Sequence, residues 1–141
     1  MNRSFEKPSD QTRAALIEAA ISLFGEKGFD ATSTRDIATR AKANIGSISY
    51  HFASKEGLHR ACGEAIAERI RTVAGPALGP DVVMLATADA RTALIALFRR
   101  LATFMLQSDA AATFVPFLMR EMANPGAAFD AIYASMLAPV H

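Results

Sequence analysis

Hydrophobic residues recur at helical spacing from close to the start of the chain. The first set follows the i, i+3, i+4, i+7, i+8 pattern of an amphipathic helix, and it consists of Leu16, Ala19, Ala20, Leu23 and Phe24. Ser9 or Asp10 suits the N-cap of this helix, and Gly28 suits the position after its end. The pattern predicts a helix over 10–27, with Phe29 packing back on Phe24.

Two short helices are predicted next. Ser33 stands three residues before an acidic residue, which is a typical N-cap pattern, and it predicts a helix over 34–41. Asn44 can cap the second short helix, over 45–52, after a turn of only three residues. Ser54 can cap a fourth and longer helix.

The fourth helix carries its apolar positions as far as a Gly-Pro-rich break at 75–80, the clearest internal boundary of the chain. Beyond it, helical periodicity predicts three more helices, over 90–107, 109–122 and 125–137. Pro116 should kink the second of these, and Asn124 should cap the third. No segment has the alternation of a strand, so the predicted fold class is all-α.

Composition narrows the class of protein. The 141 residues are 51% hydrophobic and 21% charged, which excludes an intrinsically disordered chain. One cysteine, Cys62, excludes an internal disulfide framework and a multi-cysteine zinc site, and it is interpreted as a core thiol rather than a redox sensor. No secretory signal and no membrane-spanning stretch is present, so we expect a cytoplasmic protein. The three histidines have neither metal-ligand spacing nor a catalytic arrangement, and we predict no enzyme, no cofactor and no metal site.

The net charge of +1 argues against nucleic-acid binding, but the charge is uneven. Between Ser33 and Lys55 the sequence contains four basic residues and only one acidic residue. A phosphate backbone responds to the local charge, because charges more than about 8–10 Å away are screened. A solvated basic surface explains this window equally well when it is taken alone.

The two short helices and their tight turn are typical of a helix-turn-helix, whose second helix enters the major groove of DNA. The outer side of that helix carries small or polar groups, namely Gly46, Ser47, Ser49, Tyr50 and His51. Small residues allow close approach, while Tyr50 and His51 can reach phosphates. Thr34 and Lys55 stand at the N-termini of helices two and four, which can hold phosphates through backbone N–H groups.

Residues 12–58 resemble the DNA-binding domain of TetR/AcrR-type transcriptional regulators. The matching stretches read LIEAA at 16–20, LFxxxGF at 23–29, TSTRDIA at 32–38 and GSISYHFxxKEGL at 46–58. The resemblance implies DNA contacts at Thr34, Gly46, Tyr50, His51 and Lys55. It implies that preference for a particular DNA sequence is determined at neighbouring variable positions, here Arg35, Asn44, Ile45, Ser47 and Ser49.

The chain departs from the family pattern in three places. Lys42-Ala43 replaces the usual Gly-Val of the turn, and a positive φ at Lys42 would cost on the order of 1 kcal/mol. Ile45 stands where a polar or basic residue is common, so it either touches a thymine methyl or turns inward to the core. Ser49 replaces an aromatic residue, which predicts a shorter or water-mediated phosphate contact.

The C-terminal half resembles the CecR (YbiH) subgroup, through REMANP at 120–125 and the residues at 129–133 and 139–141. This implies a small-molecule-responsive repressor. The apolar candidates for a ligand cavity, each of which can also be simple core, are Phe98, Leu101, Phe104, Met105, Phe114, Phe117, Leu118 and Met122. Arg120 and Glu121 are interpreted as a surface pair rather than a buried pair facing a ligand.

The predicted organisation is a DNA-binding domain over 1–54 with an arm at 1–9, a connecting helix over 55–74, and a regulatory domain over 75–141. Family members usually continue further, so we expect this last domain to be incomplete. The predicted function is a homodimeric repressor that leaves a palindromic operator when a small apolar ligand binds. A helical protein-interaction module and a repressor without an inducer are the alternatives.

Overall fold

A computed structural model of the chain describes residues 8–77, 89–107 and 109–137, and every regular element in these ranges is a helix. The helices are α1 (Pro8–Lys27), α2 (Thr34–Ala41), α3 (Gly46–Phe52), α4 (Lys55–Ala77), α5 (Ala90–Gln107), α6 (Asp109–Ala123) and α7 (Ala127–Leu137). The all-α prediction is therefore confirmed. Within these ranges, no helix is both long enough and apolar enough to cross a membrane.

Two helices extend beyond their predicted bounds by more than one residue. α1 begins at Pro8, so the last two residues of the predicted arm are helical, and residues 1–7 lie outside the described ranges. Proline is tolerated there because the first helical N–H has no partner within the helix. α4 continues through Gly75 and Pro76 to Ala77, and the rest of the predicted break, as far as Pro80, lies outside the described residues.

Side-chain hydrogen bonds form at the starts of α2, α3 and α4, as predicted. The Oγ atoms of Ser33 and Ser54 each accept a hydrogen bond from the backbone N–H three residues on, both at 3.0 Å. The Oδ1 atom of Asn44 accepts one from the N–H two residues on, at 2.9 Å, although α3 begins one residue later than predicted and Ile45 occupies its N-cap position. Lys42 has φ 55° and ψ 39°, which is the strained left-handed conformation expected at that turn.

The end of α1 also follows the prediction. Gly28 has φ +86°, and its N–H donates to the carbonyl oxygen of Phe24 at 2.9 Å. The ring of Phe29 lies 5.5 Å from the ring of Phe24, centroid to centroid. This glycine-dependent turn leads the chain from α1 into α2.

The start of α7 differs from the prediction. The helix begins at Ala127, and Asn124 is not its cap. Instead, the Oε2 atom of Glu121, in the preceding helix, accepts hydrogen bonds from the N–H groups of Gly126 at 3.2 Å and Phe129 at 3.1 Å. A carboxylate is favoured at this position because a helix N-terminus carries a partial positive charge.

One hydrophobic core runs through both halves of the chain. α1 and α4 contribute most of the largest fully buried residues of the N-terminal half, among them Leu16, Ile21, Phe24, Leu58 and Ile66. Ala111, Phe114 and Phe117 of α6 and Ala128 of α7 belong to the same cluster. The N-terminal helices are therefore packed directly on the C-terminal half.

α4 and α7 are the helix pair with the most extensive contact in this core. A Cβ atom added to Gly63 would lie 2.4 Å from the carbonyl oxygen of Ala128 and 2.8 Å from its Cα atom. Glycine at position 63 is what allows the two backbones to meet.

Candidate nucleic-acid interface

The outer face of α3 is open to solvent, while its inner face is packed. Ile48 and Phe52 are buried, as their i, i+4 spacing predicts, whereas Tyr50 is 80% exposed. Ile45, the residue just before α3, is 48% exposed. Ile45 is therefore not an inward core residue, and its side chain is available to a partner.

The other predicted reading positions share that accessibility. Gly46 and Ser49 are exposed, and Ser47 is half-buried. Asn44 is exposed, but its Oδ1 atom is used in capping α3. Its side-chain NH2 group is therefore the part that can face a ligand. Together these residues form a surface of small and polar groups, which suits close approach to the edges of bases.

Cationic and hydroxyl groups stand at the starts of the flanking helices. Thr34 is the first residue of α2, and Arg35 beside it is exposed. Lys55 is the first residue of α4, and its Nζ atom lies 4.1 Å from the ring centroid of Phe29. This cation–π contact holds the ammonium group close to the N-terminus of α4.

A cleft of about 450 Å³ beside the C-terminal end of α3 brings in two cations that the sequence analysis missed. Its walls include Tyr50 and His51, whose rings meet edge to face at 4.9 Å, together with Arg13 and Arg60. The guanidinium carbon of Arg13 lies 5.2 Å from the ring centroid of Phe52. Arg13 and Arg60 lie outside the basic window of the sequence, and only the folding of α1 and α4 brings them to α3.

Part of the basic window is engaged within the fold. Arg40 lies 3.5 Å from the carboxylate of Glu26 and 3.2 Å from the hydroxyl of Ser22. The hydrogen bond from Arg40 lowers the pKa of Glu26. The charge that can face a phosphate backbone is therefore concentrated at the helix tips rather than spread along the whole window.

Arg120 and Glu121 do not form the surface pair that was expected. Glu121 is buried, and its Oε1 atom lies 2.5 Å from Nε2 of His59, which is also buried. Arg120 donates from Nε to the carbonyl oxygen of Gly25 at 2.7 Å and from Nη2 to that of Glu26 at 2.8 Å. Both side chains thus connect α6 to the N-terminal half.

The contact between His59 and Glu121 has apolar rings on one side and a solvent-filled cleft on the other. The ring of His59 lies within 4.8–5.5 Å of the rings of Phe24, Phe29 and Phe117. Burial lowers the pKa of His59, because removal from water outweighs the attraction of Glu121 for the imidazolium form. A cleft of about 490 Å³ adjoins the pair, between the turn after α1 and the turn before α7.

Cys62 lies in the core, as the sequence analysis interpreted it. It is fully buried, and its Sγ atom lies 3.8 Å from the carbonyl oxygen of Ile17. Burial raises the pKa of the Cys62 thiol, which keeps it protonated and unreactive.

The predicted ligand-cavity residues lie in different environments. Phe114 and Phe117 are buried in the common core, and Leu118 packs against it. Phe98 and Met122 are 63% and 67% exposed. The side chains of Leu101, Phe104 and Met105 lie outside the part of the chain that the structure describes.

Two family profiles match the chain one after the other. Residues 16–62 match the bacterial regulatory proteins of the tetR family, and residues 90–141 match the C-terminal domain of the HTH-type transcriptional dual regulator CecR. The chain belongs to the TetR family. The resemblances inferred from the N-terminal and C-terminal motifs are both confirmed.

Individual relatives agree with this assignment. The HTH-type transcriptional dual regulator CecR of Shigella flexneri is 34% identical over 137 residues, which are 94% of this chain and 60% of that protein. An HTH-type transcriptional repressor of Mycobacterium tuberculosis is 47% identical over 49 residues, 35% of this chain and 26% of its own. Such relatives are transcriptional regulators and not enzymes, as the sequence analysis predicts for this chain.

The fold is found in a solved structure as well. A crystal structure from Pseudomonas aeruginosa PAO1 superimposes with a TM-score of 0.65 over 94% of this chain and 61% of that one, at 24% sequence identity. At this identity the likeness shows the fold alone. The chain spans about three fifths of the length of both proteins.

Proposed function

We propose that this protein is a DNA-binding transcriptional repressor whose reading helix is α3. The observation that carries the proposal is the arrangement around α3. Its outer face is exposed and built of small and polar residues, and the starts of α2 and α4 flank it with Thr34 and Lys55. This arrangement suits a helix that enters the major groove while its neighbours hold the phosphates on either side.

Each residue of the surface takes a role that its chemistry allows. Thr34, Tyr50, His51 and Lys55 contact phosphates, and Gly46 permits close approach. Arg35, Asn44, Ser47 and Ser49 face the base edges or neighbouring phosphates. Ile45 packs against a thymine methyl group, because it is the exposed apolar side chain next to α3.

The repressor acts as a homodimer on a palindromic operator. Two copies of α3 spaced about 34–36 Å apart would read successive major grooves on one face of DNA. A small apolar effector in the C-terminal half would favour a dimer with another spacing, so effector and operator weaken each other's binding by the same factor. The eight apolar candidates named above are the residues proposed to meet this effector.

A repressor without a small-molecule inducer is the second candidate. It is favoured by the burial of Phe114 and Phe117 in the core, where they fill space rather than line a cavity. Thermal unfolding in the presence of a panel of apolar drugs separates the two candidates, because a ligand that binds the folded state raises its stability.

Selection of bound sites from random duplex DNA tests the proposal directly. A palindrome with half-sites one helical turn apart is expected. Titration of the selected duplex at several salt concentrations should give steeply falling affinity, and Lys55→Ala should reduce the slope of log affinity against log salt by about 1. Arg71→Ala, which removes an exposed cation further along α4, is the matched control and should leave the slope unchanged.

Ile45→Ala should alter the selected sequence more than the overall affinity. A protein that selects no sequence and binds random duplex with little salt dependence would instead be a helical interaction module. If Lys55→Ala and Tyr50→Phe both bound the selected duplex as well as the unaltered protein, the assignment of this face to DNA would be wrong.

A further inference from the structure

Two adjacent residues of α6 hold three different helices. The Oε1 atom of Glu121 contacts His59 of α4, and its Oε2 atom accepts two N–H groups at the start of α7. Arg120 donates to the carbonyl oxygens of Gly25 and Glu26 at the end of α1. Both carboxylate oxygens are thus committed, and the guanidinium group is fixed at two points.

These contacts lie close to the proposed DNA-binding surface. His59 stands one helical turn after Lys55 on α4. Gly25 and Glu26 lie in the last turn of α1, and Gly28 then turns the chain toward Thr34. A rotation of α6 relative to this junction would therefore change the direction of both phosphate-binding helix tips.

We propose that Arg120 and Glu121 are positioning residues that fix the orientation of the DNA-binding helices on the C-terminal half, and hence the spacing of the two α3 helices in the dimer. This inference rests on the proposed function. Their hydrogen bonds form a polar junction at the boundary between the two halves, and neither residue belongs to the proposed DNA-binding surface.

The chemistry of the junction favours orientation over simple stabilisation. Burying a carboxylate such as that of Glu121 contributes little stability compared with an apolar residue of the same size, because removing a charge from water is costly. An apolar replacement could fill the space around His59, but it would not define the direction of α7 or the angle of α4. Hydrogen bonds to both carboxylate oxygens define both.

Apolar packing alone does not close the boundary between the two halves. The cleft of about 490 Å³ beside the pair is lined by further charged groups, including Lys27, Asp30 and Glu56. Solvent enters through this cleft and interrupts the apolar packing. On this side the hydrogen bonds of Arg120 and Glu121 therefore connect the two halves. Their loss should therefore loosen orientation before it unfolds the core.

The test compares two duplexes for the full chain: the palindrome selected by the unaltered protein, and a duplex that contains one of its half-sites. Glu121→Gln keeps the volume of the side chain and removes its charge. We expect about tenfold weaker binding to the palindrome, within the roughly 5–150-fold range of coupled sites. Binding to the half-site and the salt slope should remain unchanged, since no phosphate contact is lost.

Arg120→Gln should show the same selective loss, and it tests the junction independently if Glu121→Gln fails to fold. Glu68→Gln is the matched control, because it removes an acidic side chain that is 70% exposed on α4. The double variant His59→Gln/Glu121→Gln should bind the palindrome no more weakly than Glu121→Gln alone, since both changes break the same contact between His59 and Glu121.

Equal losses on the two duplexes, in step with a lower melting temperature, would mean that the pair is merely structural and would overturn the inference. Unchanged affinity for the palindrome in both single variants would overturn it too. In either case the unaltered protein still selects its palindrome, so the proposed function stands. An unaltered protein that selects no DNA would instead refute both.

Discussion

Replacing Gly63 with alanine tests the contact on which the packing of α4 against α7 depends. The added Cβ atom would lie 2.4 Å, 2.8 Å and 3.0 Å from three backbone atoms of Ala128. None of these atoms can rotate away, so the helices must separate by about 1 Å to reach normal van der Waals distance. Overpacking of this kind costs about 1–3 kcal/mol, and the better helix propensity of alanine offsets about 1 kcal/mol of it.

We expect Gly63→Ala to lower the free energy of unfolding by a net ~1–2 kcal/mol. The overpacking cost should lie in the upper part of its range because the clash is with backbone atoms. Urea denaturation followed by far-ultraviolet circular dichroism measures it as a lower midpoint at unchanged slope. Gly126→Ala is the control, since its Cβ atom would meet His59 at an ordinary 3.4 Å. If Gly63→Ala were as stable as the unaltered protein, or more stable as propensity alone predicts, the close approach of α4 and α7 would be refuted.

Two further changes test strain and ionisation. Lys42→Gly should raise the free energy of unfolding by up to about 1 kcal/mol, because glycine adopts the left-handed conformation of Lys42 without strain; Lys42→Ala, measured in the same urea titration, should give no such gain. Since burial lowers the pKa of His59, the unfolded chain binds this proton at higher pH than the folded chain does, so stability should fall as pH drops below about 6.5 toward the folded pKa. Melting temperatures across this range should show a shallower decline for His59→Gln, and an identical decline would contradict the assignment.

The elements with local signals could be predicted from the sequence. Ser33, Asn44 and Ser54 cap helices through hydrogen bonds to backbone only two or three residues away, so neighbouring residues contain the whole interaction. The start of α7 had no such signal. Its cap is a carboxylate that reaches forward across a turn from the preceding helix, and the nearby Asn-Pro pair gave a more usual but wrong alternative.

The candidate site divides in the same way. The outer face of α3 follows from helical periodicity once Ile48 and Phe52 are taken as inward. Arg13 and Arg60 could not be found by periodicity, because their proximity to Tyr50 depends on how α1 and α4 pack. The contact of His59 with Glu121 joins residues far apart in the chain, and each residue alone resembles an ordinary polar position on an amphipathic helix.

Under the proposed function, the position of α6 gives the C-terminal half a mechanical connection to the helices that would bind DNA. Phe114 and Phe117 face the core, whereas Arg120 and Glu121, near the end of the same helix, grip α1 and α4. A helix moves nearly as a rigid body, so an effector that displaced Phe117 would also shift the hydrogen bonds of Arg120. Because packed cores adopt discrete arrangements rather than deforming continuously, a small displacement there would become a change in helix direction at Lys55.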